Sequence, residues 1–237
     1  MDLKLVNEMI NRYVRPTTFP IALKLCQSED ELPNKARMPM RDMGYPITLC
    51  QGTALTRRYG WTVALGKEDQ CCIGGAQAMG FVSAGGGSEI VAADKRHEHG
   101  KYKYHLTAAL DRVDFQPDVI AIYGNSGQIM RLVQAAIGGP GGSGTVNAVA
   151  TAISDCGDIA ARTVLSNECQ AILPSGGDRV FGSTQDHEMI FAMPWSKVEE
   201  VIRGLASTHK AGFRYPIVTD IRHRPNLPPF LEVPKNT

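Results

Sequence analysis

The sequence predicts an α/β fold of mixed α+β type: a single compact domain over residues 1–237, with a mixed sheet and flanking helices. Three observations predict it. Short apolar runs of strand character alternate along the chain with stretches of helical period. Residues 118–137 pass from an apolar strand through Gly124-Asn125-Ser126-Gly127 into a helix pattern. Composition allows a sizeable core: the 237 residues are 43% hydrophobic and 21% charged, which excludes a disordered chain.

Leu3, Leu5, Val6, Met9, Ile10 and Val14 recur at helical spacing, which predicts an amphipathic helix over 2–14 that Pro16 ends. Pro20 to Cys26 (PIALKLC) alternates like a strand. Residues 27–45 are polar and carry prolines, so they predict a loop. A helix follows from Thr48 to Tyr59, stopped by Gly60. Trp61 to Leu65 predicts a short strand and Lys67 to Gln70 a charged turn. Cys72 to Phe81 carries Gly74, Gly75, Ala76, Ala78 and Gly80, the composition of a tightly packed helix. Gly85, Gly86 and Gly87 predict a flexible turn.

Asp94 to His105 is a local basic cluster and predicts a solvated loop. Asp118 to Tyr123 predicts a strand. Ile129, Met130, Leu132, Val133 and Ile137 then keep helical spacing. Gly138 to Gly144 predicts a mobile loop. A second unit follows: Cys156 to Leu165 as helix or turn, Cys169 to Leu173 as strand, Ser175 to Arg179 as turn, and Glu188 to Met193 as strand. Pro194 opens a helix through Leu205. From Tyr215 the chain is Pro-rich, so residues 215–237 predict an extended tail packed on the body.

Charge narrows the partners. Twenty-five Lys and Arg stand against 24 Asp and Glu, a net charge of +1. Nucleic acid and membrane surfaces call for clustered positive excess, so neither is expected as the main partner. No apolar run approaches the roughly 20 residues of a membrane helix, and the first residues lack a secretory leader pattern. A cytoplasmic protein is expected, where thiols stay reduced. A small-molecule or redox partner is expected there, with homo-oligomer formation left open.

Six cysteines in such a compartment read as buried residues, metal ligands or redox groups rather than disulfides. None forms C-x-x-C, and no zinc-finger or ferredoxin spacing occurs. Context separates them. Cys26 and Cys169 lie on apolar strands and read as core. Cys50 opens a helix, Cys72 precedes Gly74-Gly75, and Cys156 sits in an Asp-Cys-Gly-Asp turn. A thiol at a turn or helix start has a lowered pKa, which suits a ligand or nucleophile. Packing is the alternative for all three. Redox use of the vicinal Cys71-Cys72 pair is a minor variant.

Asn125 and Ser126, between strand and helix, offer backbone N–H groups and a positive helix end to a small anion; an ordinary N-cap is the alternative. Asp178 and Arg179, in Ser175-Gly176-Gly177-Asp178-Arg179, either orient a polar ligand or hold a turn. His97, His99 and His105 form an H-x-H-like set among lysines, read as solvated loop rather than metal site.

Several segments carry a family resemblance. They are Ile21 to Leu32 (IALKLCQSEDEL), Thr48 to Thr62 (TLCQGTALTRRYGWT), Lys67 to Phe81 (KEDQCCIGGAQAMGF) and Gln128 to Ala136 (QIMRLVQAA). Leu173 to Phe181 (LPSGGDRVF), Glu188 to Leu205 and Lys210 to Ile217 (KAGFRYPI) complete the set. Together they resemble the domain of unknown function 169 family over nearly the whole chain. The resemblance implies a soluble protein of anaerobic bacteria or archaea and brings no activity with it. Cys50, Cys72 and the Gly-Asp-Arg at 177–179 fall in the family-like segments. A cysteine often stands in the family pattern where this chain has Ser175, so this chain departs from a fourth thiolate there.

Two functions follow as expectations. The first is a cofactor protein in which Cys50, Cys72 and Cys156 bind an iron-sulfur cluster or other metal, leaving one coordination position open. The second is a small-anion binding or accessory protein, with a glycine-lined pocket near Asn125, Ser126, Asp178 and Arg179 and no metal.

Overall fold

The computed structural model describes residues 1–83, 90–139, 142–219 and 227–232. The expected Gly85–Gly87 turn therefore lies outside the described residues. So do residues 140–141 of the glycine loop, and 220–226 and 233–237 of the tail.

Among the described residues, seven strands build one mixed sheet. They are β1 (Ile21–Cys26), β2 (Val63–Leu65), β3 (Tyr104–Ala109), β4 (Val119–Asn125), β5 (Val146–Val149), β6 (Cys169–Ile172) and β7 (Glu188–Pro194). Their order is β2-β3-β1-β4-β7-β6-β5. Only β5 and β6 pair in parallel; every other neighbouring pair is antiparallel. The pairings bring the C-terminal ends of β4 and β6 and the start of β7 to one edge of the sheet.

The helices are α1 (Leu3–Tyr13), α2 (Pro39–Met43), α3 (Leu49–Tyr59), α4 (Ile73–Ala78), α5 (Ser126–Ala136), α6 (Thr163–Ser166), α7 (Gly176–Phe181) and α8 (Trp195–Lys210). A π-helical segment, Ser154–Arg162, precedes α6. Strand alternation sorts the core into two layers. Ile21, Leu23, Val119, Ala121, Tyr123, Ile190 and Ala192 face the layer holding α3, α4 and the π-helical segment. Ala22, Ile120, Ile122, Phe191 and Met193 face α1, α5 and α8. Among the described residues, no helix is long and apolar enough to cross a membrane.

Local chemistry sets the helix ends. Thr48 and Gln51 form a reciprocal capping box on α3, and Asn125 with Gln128 does the same on α5. Gly60 ends α3 at φ +70°, a conformation that favours glycine. Ser175 caps α7 by accepting the Asp178 N–H.

Four expectations differ from what is observed. The loop over 27–45 holds α2, a single short turn of helix opened by Pro39. Strands β3 and β5 were not foreseen, because His105 and Thr107 interrupt one and Asn147 the other. The segment Ser175–Arg179 is the start of a helix, since Ser175 supplies a cap. Helix α8 continues past Leu205 to Lys210. In the tail, Tyr215 reaches Asn125 and the Phe213 ring stacks on Phe230 at 5.1 Å.

Candidate functional site

A buried polar network fills the space between the sheet and α3. Tyr123, on β4, is 1% exposed and donates its hydroxyl to Asp178 Oδ2 at 3.3 Å. Thr184 Oγ1 donates to the other Asp178 oxygen at 3.2 Å. Ser154 Oγ stands 3.3 Å from Asp178 Oδ2 and 3.1 Å from Ser175 Oγ, and it accepts the Ser175 N–H. Arg57, from α3, is 1% exposed and grips both carboxylate oxygens of Glu188, at 3.0 and 3.3 Å. Its guanidinium also lies over the Tyr123 ring, 4.2 Å from the centroid. Burial alone would raise the Glu188 pKa. The Gln185 N–H and Arg57 outweigh it and hold the carboxyl below its ordinary value.

Two further carboxyls meet here without an equal share of cations. Burial raises the pKa of Asp155, and the Asp178 charge adds to it, with Thr53 and Arg57 opposing. Burial also raises Asp178, against Arg57 and three hydroxyls. Asp155 Oδ2 is buried and has no hydrogen-bond partner among the described residues.

Three of the cysteines border this network. Cys50 stands at the start of α3, Cys72 immediately precedes α4, and Cys156 lies in the π-helical segment. Burial raises the Cys50 pKa far above its ordinary value, with Asp155, Asp178, Cys156 and Cys72 each adding to it. Burial raises Cys156 as well, and Asp155 and Cys72 add. Cys50 thus stands within electrostatic reach of Cys72, Cys156 and both carboxyls, and Cys156 within reach of Cys72 and Asp155. The expected lowering of thiol pKa at turns fails for Cys50 and Cys156. Burial beside two carboxyls outweighs any helix-start effect, and Cys156 sits in buried π-helix rather than a turn. Among the described residues, no three His, Cys, Asp or Glu side chains are grouped so as to hold one metal ion.

The remaining sequence candidates scatter. Asn125 caps α5 and donates to Tyr215 Oη at 2.8 Å, and Ser126 is an exposed first residue of that helix. Arg179 is spent on the Gln185 carbonyl at 2.8 Å and on Asp186 at 3.5 Å. Of the proposed anion set, only Asp178 enters the buried network. Cys26 and Cys169 are core, and burial pushes both thiols up to about 12. Cys71 is exposed. The solvated-loop reading fails at His97 and His105, which are 3% and 0% exposed. His97 Nε2 lies 3.3 Å from the Ala160 carbonyl and its ring meets Tyr102 edge-on.

Sequence reading passed over Arg57, Tyr123, Ser154, Thr184 and Glu188. One signal was present for Arg57. Cys50, Thr53 and Arg57 keep i, i+3, i+7 spacing, so one face of α3 presents all three.

A family model described as uncharacterised ArCR, domain of unknown function 169, matches residues 9–204, so the chain belongs to that family. No curated protein and no solved structure matches the chain.

Proposed function

We propose that this member of the family is an iron-sulfur protein in which Cys50, Cys72 and Cys156 are thiolate ligands of one cluster. The convergence of three thiols from three separate segments carries the reading. A single ion draws its ligands into one tight shell, whereas a cluster spreads its thiolates over several metal atoms. The raised pKa values of Cys50 and Cys156 are those of the thiols without a cation beside them; a bound cation supplies the opposite charge and reverses that balance.

This chain's own residues frame the site. Tyr123, Ser154, Thr184 and Asp178 form a hydrogen-bonded floor, and the Arg57–Glu188 pair holds α3 against β7. Cys72 is exposed, which leaves that side open to a small-molecule substrate or a redox partner. All six cysteines are unpaired, which suits a reducing cytoplasm and anaerobic metabolism.

Purification under nitrogen from an iron-replete anaerobic host tests the proposal. The expected product is brown, with visible absorption, bound iron and acid-labile sulfide. Each of C50S, C72S and C156S should lose the iron with unchanged circular dichroism, while C71S keeps it. A colourless, iron-free wild-type protein from that host overturns the reading.

A further inference from the structure

Away from the thiols, an open cavity of about 390 Å³ lies against α3. Its lining draws Tyr45, Tyr59, Trp61 and Phe181 from three separate stretches of chain. Tyr45, Tyr59 and Phe181 are 58%, 64% and 51% exposed, unusual for rings of that size. Trp61 is held in place by Arg37, whose guanidinium lies 3.8 Å from the ring centroid. Ligand pockets for small molecules have this size and this predominance of aromatic walls, with a few polar groups to fix orientation.

The charged group in this lining is Arg58, and its charge is poorly matched. Arg57 already occupies both oxygens of Glu188, at 3.0 and 3.3 Å. Arg58 reaches the same carboxylate only at 3.8 Å and otherwise donates to the Ser183 carbonyl. Its Nε has no hydrogen-bond partner among the described residues. Two guanidinium groups therefore share the Glu188 carboxylate, and Arg58, the more weakly held of the two, stands at the cavity wall. Guanidinium favours carboxylate and phosphate geometry, and aromatic walls favour a flat ring.

We infer that this cavity binds a small aromatic anion, its ring among Tyr45, Tyr59, Trp61 and Phe181 and its charged group on Arg58. Gln51, next to Cys50, also lines the cavity, so the ligand lies along the same helix as the thiol site. The inference stands without the iron-sulfur reading, since none of its residues is a thiol.

Isothermal titration calorimetry of the wild-type chain with 2-naphthoate tests it. Saturable one-to-one binding is expected, at least tenfold tighter than for cyclohexanecarboxylate or for the neutral 2-naphthalenemethanol. The first control removes the flat ring and the second removes the charge. R58Q and Y45A should each weaken naphthoate binding at least tenfold with unchanged circular dichroism, while C50S should bind as wild type. No saturable heat, equal affinity for cyclohexanecarboxylate, or undiminished binding by R58Q overturns the inference. So does sedimentation showing a dimer that binds naphthoate only after dissociation, because a second copy would then be the occupant.

Discussion

Replacing His105 with leucine should leave the protein at least as stable as wild type at neutral pH and make it more stable in acid. His105 lies on β3 opposite Leu25 and Leu65, and it is fully buried. Neither ring nitrogen has a hydrogen-bond partner among the described residues. Burial pushes the imidazole pKa down to about 3, with the His97 charge adding. The sign follows from which state takes up the proton first. The folded pKa lies below the unfolded value of about 6.5, so the unfolded chain protonates first as pH falls. Stability from this residue is intact above that value and is lost progressively below it. At pH 5 the unfolded state gains roughly RT ln(1 + 10^1.5), about 2 kcal/mol, that the folded state does not share. Leucine has no such proton to gain. At pH 7.5 both states hold neutral imidazole, so the comparison there reads only packing and an unsatisfied N–H. His97, lowered to about 4 mainly by burial, titrates in both proteins and cancels. Urea unfolding at pH 7.5 and 5.0 measures the effect. The stability difference, variant minus wild type, should grow by about 2 kcal/mol on acidification. A difference that is the same at both pH values refutes the argument that His105 is buried and neutral.

Three other variants probe the packing on the two faces of the sheet. Glu188→Gln removes the carboxylate from a guanidinium with no exposed side-chain surface and should cost about 3–5 kcal/mol in thermal unfolding. Arg57→Met with Glu188→Leu should recover part of that loss, since neither member of the pair is then left alone, while Asp155 and Asp178 lose the opposing Arg57 charge. Gly204→Ala places a Cβ 2.2 Å from the Ala135 carbonyl oxygen, so α5 and α8 have to move apart. Calorimetry should show a loss of about 1–3 kcal/mol, and an unchanged melting temperature would mean the helices are less closely held.

Elements with a chemical signal at each end were legible. Helix α3 runs from a Thr-x-x-Gln box to a glycine in the left-handed region. The β4–α5 unit shows an apolar run, an asparagine cap and a 3.6-residue period. Strand β3 was hidden because both its faces are buried and one of them carries His105 and Thr107 where a buried strand predicts apolar residues. Thr107 is acceptable there because its hydroxyl pairs with Thr56 at 2.8 Å, a contact between residues 51 positions apart. No local pattern reports such a partner.

The candidate site follows the same division. Cysteine carries its chemistry in its type, so Cys50, Cys72 and Cys156 stood out before any fold was known. Arg57 and Glu188 become chemical only through burial; in sequence they read as an ordinary helix-end cation and a strand-start anion. The π-helical segment is the hardest case. The Ile153 carbonyl accepts N–H groups from both Gly157 and Asp158, at 2.7 and 3.2 Å, which marks the entry into the wider turn. A Cβ at Gly157 would stand 2.3 Å from Ile153 Cδ1, so the turn closes around a residue with no side chain. Within that turn, Ser154 meets Asp178 and Ser175, Asp155 feels the Asp178 charge, and Cys156 feels Cys72. The extra residue in that turn shifts every later side chain off the face a 3.6-residue period assigns it, so a regular helical reading of residues 154–162 misplaces the buried ones.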